Sequence, residues 1–168
     1  MQQAKPSLVI IWHSRTGASE AMARAVYDGA RSGNEGAGAR LIYAADVMPE
    51  DILAASALVF VCPENLASMS GLMKEMFDRC YYPVLGRIEG RAYATVIAAG
   101  SDGEGAQRQI DRIATGWRLR RVAESLIVCL DAQSPEAILA QKTVSTESLN
   151  QCSAMGSALA EGLAIGIF

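Results

Sequence analysis

Directly after an apolar run and before a helical period, the chain reads His13-Ser14-Arg15-Thr16-Gly17-Ala18-Ser19, a loop of hydroxyls around one glycine. The first N–H groups of a helix have no intrahelical acceptor and carry partial positive charge. With the hydroxyls of Ser14, Thr16 and Ser19 they suit a phosphate monoester, and Arg15 is placed to neutralise its charge. Residues 14–19, Gly17 and Ala18 included, are therefore the candidate phosphate site. The loop has no lysine and no GxxxxGK[ST] spacing, which argues against a nucleotide triphosphatase, and it does not fit the Rossmann fingerprint. The same residue types also serve a tight strand-to-helix turn in which Ser and Thr only cap, so both readings stay open on this loop alone.

Two further stretches follow apolar runs in the same way. Pro63-Glu64-Asn65-Leu66-Ala67-Ser68-Met69-Ser70-Gly71-Leu72-Met73-Lys74 continues through Phe77-Asp78-Arg79, and Gly100-Ser101-Asp102-Gly103-Glu104-Gly105 opens another helical period. Glycines there let backbone approach a planar ligand closely, although an Asp102-capped helix start needs no ligand. Ser14 to Ser19 resembles the S/T-x-T-G-x-T phosphate loop of flavodoxins and related FMN reductases. The second stretch resembles the P-x-x-x-x-S-M-S-G-x-x-K-x-F-x-D-R segment of WrbA-type NAD(P)H:quinone reductases and NADPH-dependent FMN reductases. Two such motifs in this order are more specific than either alone.

The resemblance implies FMN as cofactor, its phosphate on residues 14–19. Its isoalloxazine ring would lie along Pro63, Glu64, Asn65, Leu66, Ala67 and Ser68, with Gly100, Ser101, Asp102 and Gly103 closing the other side. It implies an oxidoreductase taking hydride from NADPH or NADH and reducing a quinone-like or other small acceptor, with no acid–base residue of its own and none evident in the sequence. The other functions to weigh are a one-electron carrier of the flavodoxin type and a flavin-free interaction domain of the same fold. This chain departs from flavodoxins in lacking an aromatic residue in either ring-binding loop. Leu66, or an aromatic side chain of a second subunit, would take that place. Tyr81-Tyr82-Pro83 offers a contact for a homodimer, or simply core packing before a turn.

The elements that must hold these loops are legible as periodicity. Leu8 to Trp12, Ala57 to Cys62, Ala92 to Ala99 and Leu126 to Leu130 are short continuous apolar runs, as strands buried on both faces read. Arg40 to Tyr43 is more polar and suits an edge. Helical spacing appears in Met22, Val26 and Ala30, in Leu72, Met73, Met76, Phe77 and Cys80, in Ile110 and Ile113, and from Leu149 through Leu163 behind a capping Ser145-Thr146. Ser70 is placed to cap the second of these helices, and Asp78-Arg79 reads as a surface ion pair. Ser32 to Gly38 and Asp131 to Thr143 read as surface loops, the latter with a helical turn from Pro135. The alternation predicts one α/β domain over 1–168, a flavodoxin-like three-layer sandwich whose five-stranded parallel sheet of order 2-1-3-4-5 carries helices on both faces. The winding reverses between the first and third strands, which makes the three loops neighbours.

Composition narrows the function further. A net charge of −3 without a basic run disfavours nucleic acid, and no window nears the roughly 18 apolar residues of a membrane span, so a cytoplasmic protein is expected. Cys62, Cys80, Cys129 and Cys152 show no CxxC pair and read as reduced core residues. With one histidine, a zinc centre or a His-based triad lacks its parts, and His13 is assigned no role. Trp12 is expected in the core. No cysteine supplies the Cys-x₅-Arg loop of a low-molecular-weight phosphatase, and Trp12-His13 stands where a receiver domain needs acidic residues.

Overall fold

The computed structural model describes residues 7–33 and 38–168. The apolar run after Pro6 forms β1 (Ser7–Trp12), which pairs in parallel with β2 (Gly38–Tyr43) on one side and β3 (Ala57–Asn65) on the other. β3 pairs in parallel with β5 (Ala92–Ala99), and β5 carries two short parallel neighbours, β6 (Arg120–Arg121) and β7 (Leu126–Cys129). β4 (Ser68–Met69) folds back antiparallel on β3. The parallel order β2-β1-β3-β5-β6/β7 is the expected 2-1-3-4-5 winding, with the fifth strand broken by Val122–Ser125. Continuous apolar sequence marks the central strands because neither face meets water, whereas β2, at the edge, is only half-buried.

Alternation along each strand divides the core in two. Leu8, Ile10, Val59, Val61, Ala94 and Val96 face α1 (Ala18–Gly33) and α6 (Thr146–Ala164) and pack with Met22, Val26 and Leu159. Val9, Ile11, Leu58, Phe60 and Ile97 face α3 (Gly71–Val84) and α4 (Glu104–Gly116) and pack with Met73, Met76, Phe77, Ile110 and Trp117. The second face carries the aromatic residues, with Phe60 on Phe77 at 4.9 Å and Phe77 on Trp117 at 5.3 Å between ring centroids. On the first face α1 and α6 approach so closely that a Cβ on Gly29 would overlap the Ser153 carbonyl, and one on Gly156 the Val26 carbonyl.

A short helix, α2 (Pro49–Ala54), lies between β2 and β3 where the sequence offered too few residues for a helical period. Its start is held by Asp51, whose carboxylate accepts from Met48 N at 2.9 Å and pairs with Arg40 at 2.5 Å. Two arginines satisfy carbonyls of this connection. Arg91 donates to Ile52, Leu53 and Ala55, and Arg79 to Val47 and Ala44.

Several expectations are corrected at this level. Asp78 and Arg79 do not pair with each other, because helix geometry joins each to the residue four positions earlier, Lys74–Asp78 at 2.6 Å and Glu75–Arg79 at 3.0 Å. Leu72 lies on the outer side of α3 and is exposed, and Pro83 falls inside that helix instead of in a turn. Tyr81 stacks on Trp117, leaving Tyr82 exposed. Trp12 is only half-buried, edge-on to Tyr43. Of the four cysteines, Cys129 is exposed while burial pushes the Cys62 thiol up to about 12 and that of Cys152 to about 11. Ser32 and Gly33 belong to α1 and Gly38 to β2, while residues 34–37 of that expected loop, like residues 1–6, lie outside the described residues. No helix of the described residues is long and apolar enough to cross a membrane.

The α1–α6 contact gives a direct test. Gly156→Ala should lower stability by roughly 1–3 kcal/mol, the usual cost of overpacking a tight contact, as a fall in the urea midpoint without a change of slope.

Candidate functional site

At the carboxyl ends of the strands a cavity of about 480 Å³ opens, within the roughly 300–1,000 Å³ range of small-molecule and cofactor sites. Ser14, Arg15, Thr16, Ala18 and Ser19 line it from the β1–α1 loop. The loop turns at Gly17, whose φ is +95° and whose N–H donates to Ser14 Oγ at 3.0 Å. α1 starts with Ala21 N donating to Gly17 O, so the N–H groups just before it have no intrahelical acceptor. Ser19 is 1% exposed, yet its hydroxyl makes no hydrogen bond within the protein. A buried hydroxyl left this way costs about 1–3 kcal/mol, and Ser19 is among the residues that line the cavity.

The second expected loop is largely strand. β3 runs on through Pro63, Glu64 and Asn65, turns at Leu66-Ala67 and returns as β4, with Glu64 opposite Met69 and Asn65 opposite Ser68. Both turn residues have positive φ, 53° and 58°, the backbone of a two-residue hairpin turn that ordinarily takes Asn-Gly. With a Cβ each position costs roughly 1–2 kcal/mol. Tertiary contacts hold the turn: Gln109 Oε1 on α4 accepts from Ser68 Oγ and Met69 N, both at 2.9 Å. The carbonyl of Ala67 lies so near Gly105 that no side chain fits there. Residues with strained backbone collect at binding sites, and Pro63, Glu64, Asn65, Leu66 and Ala67 all line the cavity.

Glu64 has a task the sequence did not show. Its carboxylate accepts from Gly103 N at 2.9 Å and Ala106 N at 3.0 Å, capping α4 from another element. The expected Asp102 cap is thereby corrected: the N-cap is Gly103, at φ +90° and with no side chain of its own to cap with, and Asp102 is exposed. Gly100 and Ser101 line the cavity. Gly17, Ser68, Asp102 and Gly103 do not; they turn, brace or bound it instead.

A fourth wall comes from the segment expected as a surface loop. After β7, Leu130 and Ala132 line the cavity, then α5 (Pro135–Leu139), capped by Ser134, brings Ile138 and Leu139 to its edge. Lys142 fixes this strap: its backbone N–H donates to Thr16 O at 2.8 Å, and its ammonium to the carbonyls of Ala137, Ile138 and Ala140 at 2.5–2.9 Å. The available signal was the Ile138-Leu139 pair, apolar in a polar stretch.

Beside the cavity, His13 is buried, with Nδ1 2.8 Å from Ser70 Oγ. Burial, and then the charge of Arg15, hold its pKa below the ordinary imidazole range, so it is neutral near pH 7. The pair ties the end of β1 to the start of α3, and it occupies the Ser70 hydroxyl expected to cap that helix. Among the described residues, Arg15, Glu64 and Lys142 are the charged ones lining the cavity.

A sheet of this winding with a polar loop at its first crossover, a strained hairpin over the third strand and a capped glycine turn over the next defines a flavodoxin-like site. Residues 43–128, just over half of the chain, match the family of NADPH-dependent FMN reductases. The chain belongs to that family. The match includes the hairpin and the Gly100 turn, while the loop at residues 14–19 precedes it. A protein named flavodoxin from Aquifex aeolicus (strain VF5) is 34% identical over 98 residues, 58% of this chain and 52% of the relative, so the match spans about half of the relative's length. Among solved structures, an archaeal flavodoxin superposes with a TM-score of 0.74 at 18% identity, covering 94% of this chain and 98% of its own. A WrbA-like protein from Agrobacterium tumefaciens gives 0.64 at 20% identity, with 94% and 97% covered. The flavodiiron protein from Giardia intestinalis gives 0.74 at 19% identity, with 98% of this chain on 37% of that one. These structures share the fold.

Removing the Glu64 carboxylate should unfasten α4 from the hairpin. Glu64→Ala is expected to cost about 1–2 kcal/mol in chemical denaturation, the upper range for a lost cap. Retention of wild-type stability would contradict the bracing role.

Proposed function

We propose that the cavity holds FMN and that the protein is an oxidoreductase taking reducing equivalents from NADPH or NADH to a small acceptor such as a quinone. The observation that carries this reading is the buried Ser19 hydroxyl, unpaired within the protein at the start of α1, in the same cavity as the hairpin. Ser14, Thr16 and Ser19 with the first N–H groups of α1 would hold the phosphate, and Arg15 would balance its charge. Pro63, Glu64, Asn65, Leu66 and Ala67 on one side, and Gly100 and Ser101 on the other, would bound the ring. Ser68, Asp102 and Gly103 would support these walls from behind.

When bound, FMN supplies the redox chemistry, hydride acceptance from a nicotinamide and onward electron delivery. The protein's residues need only bind, orient and shield. The Glu64 carboxylate is committed to backbone N–H groups, and His13, bonded through Nδ1 to Ser70, is not among the residues lining the cavity. The similarity to a protein named flavodoxin favours a second reading, a one-electron carrier. Anaerobic titration of the FMN-loaded protein separates the two. Full two-electron bleaching by NADPH or NADH, followed by reoxidation with a benzoquinone, supports the reductase; no bleaching by either nucleotide, with a stable one-electron form under dithionite, supports the carrier.

Ser19 also yields a test with opposite signs. Ser19→Ala removes a costly unpaired hydroxyl from the ligand-free protein, so its stability should rise by about 1 kcal/mol. The same change deletes a bond to a charged group, so FMN affinity should fall about tenfold to a hundredfold. Thermal melts with and without FMN read both.

A further inference from the structure

Among the described residues, those lining the cavity include no aromatic side chain, and Trp12 and Tyr43, at the ends of β1 and β2, are not among them. Three large aliphatic residues stand exposed at its edge instead: Leu66 at 101%, Leu139 at 74% and Ile138 at 51% of full accessibility. Resting on the FMN reading, we propose that the flavin ring lies between two aliphatic walls of this same chain, Leu66 on the hairpin and Ile138-Leu139 on the strap, and that no aromatic residue, its own or a second subunit's, stacks on it.

The topology sets the two walls opposite each other. The hairpin is pinned to α4 through Gln109 and Glu64, which puts Leu66 on the α3/α4 side of the sheet. The strap leaves β7 at the far edge and passes the end of β5, where the Ala132 carbonyl would stand 2.6 Å from a Cβ on Gly100. It then reaches Thr16 at the loop after β1 through Lys142 and continues into α6, which packs on α1. The strap therefore crosses β5 and β3 on the α1/α6 side, and the cavity lies between strap and hairpin. Aliphatic groups exposed on both walls of one cavity make an apolar slot that a flat ring entering it would cover. Leu66 is held in place by a turn whose backbone strain the neighbouring elements sustain, and the strap by three carbonyl bonds to one ammonium.

Flavin emission distinguishes the two kinds of wall, because a tryptophan or tyrosine in van der Waals contact with the ring quenches it by electron transfer and an aliphatic chain does not. FMN bound to the wild-type protein should keep most of the emission of free FMN at matched absorbance. Leu66→Trp and Leu139→Trp, both at exposed positions that tolerate the larger ring, should each bind FMN and lose most of that emission. A bound but dark flavin in the wild-type protein overturns this inference while leaving FMN binding intact, and so does full emission from FMN bound to both variants. Absence of FMN binding by the wild-type protein, seen by ultrafiltration, removes the flavin reading and this inference with it.

Discussion

Two helices, α1 and α4, start at the same rim of the sheet, and each presents N–H groups that its own turn cannot satisfy. The protein treats the two starts differently. At α4 the Glu64 carboxylate, carried on the extension of β3, takes Gly103 N and Ala106 N. At α1 no carboxylate among the described residues does this, and the buried Ser19 hydroxyl also goes without a partner among them. A closed and an open helix start therefore stand on either side of one crevice, and the open one is where the proposed FMN would place its phosphate. The remaining loops line that crevice.

That arrangement is costly where it is most exact. Leu66 and Ala67 occupy backbone conformations that suit glycine or asparagine, and they persist because Gln109, Glu64 and the bare Cα of Gly105 leave the hairpin no other position. The strap is secured in a comparable way, by a lysine that spends its ammonium on three carbonyls and its backbone N–H on Thr16 of the β1–α1 loop. Bonds from side chain to backbone thus carry the site, while the two halves of the core hold the sheet that carries them. Even the buried histidine works as a tie between β1 and α3.

The framework was readable because it follows from burial. Central strands with both faces covered must be apolar throughout, and helices with one covered face must repeat at three and four residues. β5 falls within its predicted limits, and the strand order is the one that five alternating strands and helices in a chain of this size favour. What was hidden depends on partners distant in sequence. Pro63 and Glu64 look like a loop because neither favours a strand, yet β5 pairs with Pro63 and β4 with Glu64. A Leu-Ala hairpin turn carries no Asn-Gly signature, so only its context reveals it. Asp102 has the composition of a cap, but a glutamate 38 positions earlier reaches the same N–H groups first. The helical turn at Pro135 was legible from its proline, but its place in the cavity wall was not, because Lys142 fixes the strap by acting on carbonyls, which no sequence pattern displays.

The claim at the centre is that the α1 start recognises a phosphate and that this contact seats the ring. Calorimetric titration of the same preparation with FMN and with riboflavin, which differ only by that group, examines it most directly. The account predicts that FMN binds at least roughly a hundredfold more tightly, the yield of two or more hydrogen bonds to a charged group. Equal affinity for the two flavins would contradict it.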